Sequence, residues 1–95
     1  MFIRTQDRNG LIDINNITFR LTEPEYGYEI ICYNTACIAD EGYELLGHYS
    51  TKEKALKVLD MIQNAYEEYE HEKAFKTGLR LFKTFQMPKD DEVEI

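Results

Sequence analysis

Cys32, Cys37, His48 and His71 are the side chains of widest chemical reach in this 95-residue chain. Thiolates and imidazoles bind zinc, and the Cys-x4-Cys pair could supply half of a tetrahedral set. No second pair stands at a spacing that completes it, so the expectation is no metal and no cofactor. Nucleophilic catalysis would need Cys32 or Cys37 beside a histidine and an acid, a combination that almost any chain of this length can offer. The sequence holds no Gly-x-Ser-x-Gly elbow, no P-loop and no dinucleotide fingerprint. Its adjacent carboxylates, Glu67–Glu68 and Asp90–Asp91, fall on a helix face and in a tail, where they read as solvated charge. The residues therefore point to a protein that is not an enzyme, with a small Cys/His hydrolase as the rival.

Two sets of residues suit binding better. Ser50, Thr51 and Lys52 stand at the start of a helix, whose unpaired amides attract anions. Arg4 and Arg20, on neighbouring strands, would add forked contacts to a phosphate, and Tyr49 would stack on a base. Against this, Ser50 is already the expected helix cap, and the arginines have local carboxylates to pair with. The second set is aromatic. Tyr26, Tyr28 and Tyr43, with Tyr49 beside them and Tyr33 on the other face, offer stiff contact area of the kind interfaces use. The plainer reading is that a small sheet keeps tyrosines at its half-buried rim.

The elements that must position these groups follow from periodicity. Phe2–Gln6 reads as a strand, Arg8-Asn9-Gly10 as a turn with the left-handed residue at Asn-Gly, and Leu11–Ile14 as a second strand. Asn15-Asn16 interrupts the chain, and Ile17, Phe19 and Leu21 then alternate with Thr18 and Arg20. Glu23-Pro24-Glu25 breaks it again. Tyr26–Tyr33 is apolar on both faces, as a central strand or one covered by a partner would be. Ala39–Gly42 is a turn and Tyr43–Tyr49 a strand.

Ser50-Thr51-Lys52-Glu53 fits a capping box with Ser50 as N-cap. Ala55, Leu59, Ile62, Tyr66 and Tyr69 follow as one helical stripe, flanked by Leu56, Val58 and Ala65. The helix should end between His71 and Lys76, with Gly78 as a stop signal. Leu81–Met87 then returns as a last strand ended by Pro88, with a helical continuation through Phe75, Leu79 and Phe82 as the alternative. The expected fold is α+β: an antiparallel β-meander of about five to six strands packed with one long amphipathic helix.

An apolar fraction of 43% supports one core, hence a single domain over 1–88 and a loose acidic tail over 89–95. Met1-Phe2-Ile3 runs straight into Arg4 without the apolar run of a signal peptide, and no stretch is long enough to cross a membrane. The expectation is a cytoplasmic protein with reduced thiols. A net charge of −7 opposes non-specific binding to nucleic acid or anionic membranes. Glu23, Glu25, Glu29, Asp40, Glu41 and Glu44 crowd one stretch that has no Lys or Arg, suggesting an acidic side.

Ile3-Arg4-Thr5-Gln6, Tyr49-Ser50-Thr51-Lys52-Glu53-Lys54-Ala55 with Val58-Leu59-Asp60-Met61-Ile62-Gln63, and Phe85-Gln86-Met87-Pro88 resemble a group of small uncharacterised proteins of bacteriophages and prophages of Gram-positive bacteria. The matching motifs are structural and bring no active site with them. What the resemblance implies is context, a bacterial host cell and a protein that sticks to a host component, including those of antiviral defence. The sequence thus suggests a binding or inhibitory homo-oligomer. Its partner would be either a basic host protein met by the acidic side or a nucleotide signal held by Arg4, Arg20 and the helix start. A structural subunit of a larger assembly is the alternative.

Overall fold

Alternation of apolar and polar residues sets the longest strands. The computed structural model describes residues 1–14, 17–34, 42–75 and 83–94. Strands β3 (Ile17–Thr22), β4 (Tyr28–Asn34) and β5 (Glu44–Tyr49) form an antiparallel sheet in that order. Register puts Phe19 opposite Cys32 and Leu21 opposite Ile30, so Ile17, Phe19 and Leu21 share the face that carries the buried Ile30 and Cys32. Thr18, Arg20 and Thr22 share the outer face with Tyr33, Ile31 and Glu29. β4 is central, which accounts for its apolar groups on both faces.

A second sheet joins β1 (Phe2–Arg4), β2 (Leu11–Asp13) and β6 (Thr84–Gln86) in the order β2-β1-β6. β1 runs antiparallel to β2 but parallel to β6. The α+β class and the single long helix stand; the single antiparallel meander does not, and two three-stranded sheets replace it. Strands of three residues hold too little alternation to reveal their partners, and the parallel pair encloses most of the chain in its crossover.

The β1–β2 turn also differs from expectation. Its left-handed residue is Arg8, at φ 67°, and not the Asn-Gly pair. Asp7 decides this: its carboxylate accepts from the Thr5 hydroxyl at 2.6 Å and the Asn9 amide at 2.9 Å, an Asx turn that fixes the bend one residue early.

Helix α1 (Lys52–Phe75) ends within the expected interval. Its start is one residue later than the capping box placed it. Thr51, not Ser50, caps it, with Thr51 Oγ1 accepting from the Lys54 amide at 3.2 Å. Ala55, Val58 and Ile62 are buried, Leu59, Ala65 and Tyr69 half-buried, and Tyr66 is 40% exposed. The buried stripe is thus centred on Val58 and rotated away from Tyr66.

The helix lies over β4 and β5. A bulge opposite Ile30 and Ile31 turns Leu46 into the core. Gly47 faces the same way and must be glycine, because a Cβ there would stand 2.9 Å from the hydroxyl oxygen of the buried Tyr49.

The acidic tail is docked, contrary to expectation. Met87 and Val93 are buried, and a 3-10 turn, η1 (Asp90–Glu92), lies between them. Two apolar anchors outweigh the charge of the intervening acids. The Asn15-Asn16 break, Cys37, most of the 39–42 turn and the start of the expected last strand at 81–82 lie outside the described residues.

Candidate functional site

The expected anion site at the helix start is filled by the protein itself. Asp90 Oδ1 accepts from the Ser50 amide at 2.8 Å and from the Ser50 hydroxyl at 3.1 Å. Lys54 Nζ donates to the Asp90 carbonyl at 3.0 Å and lies 3.7 Å from its carboxylate. The Ser50 amide and hydroxyl and the Lys54 ammonium hold the Asp90 carboxyl below its ordinary range. Lys57 reaches the Glu94 carbonyl in the same strap. A carboxylate just ahead of a helix N-terminus is favoured by the helix dipole, so Asp90 brings negative charge of the protein's own to this end of α1.

The other members of that set do not converge on it. Tyr49 is fully buried and its hydroxyl donates to the Pro88 carbonyl at 2.7 Å. Burial, then the charges of Asp90 and Glu92, raise its pKa. It is a core residue and cannot stack on a ligand. Arg4 is exposed on β1. Arg20 is exposed on β3, on the outer face of its sheet, whereas Tyr49 pairs with Tyr28 on the face that carries Ile30. Thr51 is engaged as cap. Lys52 is exposed at the first position of α1.

The tyrosines divide in the same way. Tyr26 and Tyr43 are 78% and 63% exposed, Tyr28 is half-buried on the core side, and Tyr33 is half-buried on the outer face. They do not form one adhesive surface. The acidic stretch is also split. Exposed Glu23 and Glu25 lie at the β3–β4 turn, while Glu44 pairs with Cys32 towards the other end of β4.

Cys32 and His48 face opposite sides of their sheet, since Cys32 lies with Phe19 and His48 pairs with Glu29. Burial, then the Glu44 charge, pushes the Cys32 thiol up to about 11. His48 Nε2 sits 2.8 Å from the Tyr26 carbonyl. That contact requires Gly27, at φ 74°, because a Cβ there would lie 2.5 Å from the ring nitrogen. Among the described residues no group of three or more His, Cys, Asp or Glu side chains could hold a metal ion, and no helix is long and apolar enough to cross a membrane.

What the fold does create is a groove that motif reasoning passed over. Because α1 covers β4 and β5, the inner face of β3 overhangs it. Ile14, Ile17 and Phe19 on one side and Leu59, Ile62, Gln63 and Tyr66 on the other line a cavity of about 460 Å³. That volume lies within the range of small-ligand sites, about 300–1,000 Å³. Its walls are apolar, and the Gln63 amide, whose nitrogen donates to Glu67 Oε1 at 3.2 Å, keeps an acceptor and a second N–H for a ligand. Along the same flank of the helix run Lys52, Leu56, Leu59, Gln63 and Tyr66, at spacings of four, three, four and three, with no acid among them. This spacing was visible in the sequence; that β3 would lie across from it was not.

No protein-family model, no curated protein and no solved structure matches the chain.

Proposed function

We propose that the protein acts by binding, capturing a small ligand that carries a flat heteroaromatic group, of the nucleotide class, in the groove between β3 and α1. The groove is the observation that carries this reading. Phe19 and Tyr66 offer aromatic surface, Gln63 can pair with the edge of a base, and Leu59 and Ile62 exclude water beneath it. Lys52 stands on the same helix flank, about 10 Å from Leu59 at 1.5 Å per residue, within reach of a phosphate attached to that base. This arrangement replaces the set built on Arg4, Arg20 and the helix start, where Asp90 already holds the Ser50 amide and hydroxyl. The basic-protein partner draws less support, since among the described residues Glu23 and Glu25 lie at one end of β4 and Glu44 towards the other.

The resemblance to phage and prophage proteins supplies the context, in which sequestering such a signal would block a host response. Native mass spectrometry of the protein after incubation with a nucleotide panel and with host extract tests the reading. A bound mass that disappears in Gln63→Trp, an exposed position whose new ring fills the groove mouth, is the expected outcome. A ligand retained unchanged in that variant, or none captured at all, would overturn it.

A further inference from the structure

The three other sheet edges are each blunted by length or by a partner. β2 and β6 have three residues apiece. The outer edge of β5 is consumed by Gln6. Its amide donates to the Leu46 carbonyl at 2.8 Å, its Oε1 accepts from the His48 amide at 2.9 Å, and its Nε2 donates to the His48 carbonyl at 3.1 Å. β3 is different. It has six residues, no proline, Arg20 as its sole charge, and no strand on its outer edge among the described residues. A free edge of that length and composition is a template for another strand.

We propose that the β3 edge pairs with β3 of a second copy, antiparallel across a two-fold axis, joining two half-grooves into one ligand channel flanked by both helices. The inference rests partly on the groove as the ligand site, and the pairing itself can be tested without it. Three observations favour a second copy over a foreign strand. The first is the pattern. With Phe19 at the axis, Phe19 meets Phe19, Ile17 meets Leu21, and Thr18 meets Arg20, so every apolar side chain stays on the groove face and the two arginines are not opposed. Centring on Arg20 instead would set like charges face to face.

The second observation is electrostatic. In a chain of net charge −7, two copies repel over most of their surface. β3 itself carries no acid and one base, Arg20, whereas on the facing helix flank Glu67 accepts from the Gln63 amide nitrogen at 3.2 Å and Glu70 bonds the Tyr66 hydroxyl, so the β3 edge is the place where two copies repel least. The third is incompleteness. Ile17, Phe19 and Leu21 stay half-buried, and Leu56 and Tyr66 are 44% and 40% exposed along the opposite flank. A second copy would cover the first three and bring its own Phe19 and Leu21 to the wall of each groove. A six-residue edge is about 20 Å long, so the contact is small beside the roughly 800 Å² per partner of a standard interface, and the dimer should dissociate on dilution.

Amide hydrogen exchange of the full chain at low and high protein concentration, alongside sedimentation, tests the pairing. The expected result is a concentration-dependent dimer in which β3 amides gain at least tenfold protection while β2 and β6 amides do not change. Leu56→Glu, on the exposed flank and outside the core, should shift the dimer towards monomer. Phe19→Lys should abolish it while retaining the wild-type circular dichroism. Monomer at every concentration would overturn the inference, as would a dimer whose β3 amides exchange equally fast at both concentrations. A monomer that still captures a ligand through Gln63 would sink the dimer and spare the groove. A β3-paired dimer with an empty groove would do the reverse.

Discussion

Tyr49 carries the largest fully buried side chain, and its hydroxyl is the one polar atom that ring brings into the core. It reaches the Pro88 carbonyl at 2.7 Å and so ties β5 to the chain that follows β6. Tyr49→Phe keeps the ring and deletes that donor, leaving the carbonyl without it. A loss of about 1–2 kcal/mol follows, measurable as a lower urea midpoint with an unchanged slope. Cys32 shows the other consequence of burial. A thiol that is 1% exposed and pushed up to about 11 presents almost no thiolate at neutral pH. In a Cys37→Ser background, a thiol-specific reagent should modify Cys32 only at the rate of unfolding; rapid modification of the native protein would show that β4 opens locally. Neither role was legible from residue type. A tyrosine beside a serine and a lysine reads as a ligand contact until the strand's facing is known, and one residue of register decides that facing.

At the scale of elements, the decisive piece is the C-terminal strap over the start of α1. Thr51 caps the helix from within, and Asp90 satisfies the Ser50 amide just ahead of it from outside. Because folding lowers the Asp90 pKa, its contribution is complete above the unfolded carboxyl pKa of about 3.9 and is lost as pH falls through the lower folded value. The urea midpoint of the wild type should therefore drop below about pH 4 more steeply than that of Asp90→Asn. Equal slopes would mean that the carboxylate is not engaged in solution. Asp7, also lowered through the Thr5 hydroxyl and the Asn9 amide, titrates in the same window and must be kept intact in both proteins. Truncation after Met87 should cost more than Asp90→Asn, since it also exposes the apolar seat of Val93, whose burial stabilises by roughly 1.5–3 kcal/mol. Helix α1 and the six-residue strands were readable from period and turn chemistry. The strap was not, because Asp90-Asp91-Glu92 has the composition of a solvated tail. Only the placement of Val93 three residues after Asp90 hinted that the segment returns to the core.

For the molecule as a whole, the question is what makes two small sheets one structure. Each has three strands and an apolar face that needs a cover to be buried. The helix covers only the β3-β4-β5 sheet closely, so the joint must be made elsewhere. Gln6 makes it: the residue just beyond β1 runs its backbone and its side-chain amide along β5 and sends the same Nε2 to the Pro88 carbonyl at 3.1 Å. One side chain thus ties the end of β1 to two other stretches of chain and closes the β5 edge. Gln6→Ala should leave the residue-6 amide donating to the Leu46 carbonyl but release the His48 amide and carbonyl. The expected result is a stability loss of about 1–2 kcal/mol, together with faster exchange of the His48 amide while the residue-6 amide, which donates to the Leu46 carbonyl, stays protected. The same substitution opens part of a second sheet edge, so it should raise concentration-dependent association through β5 as well as lower stability. If exchange at His48 stays as slow as in the wild type, the two sheets are held by apolar packing of Ile3, Leu46 and Met87 alone, and the amide contacts merely follow.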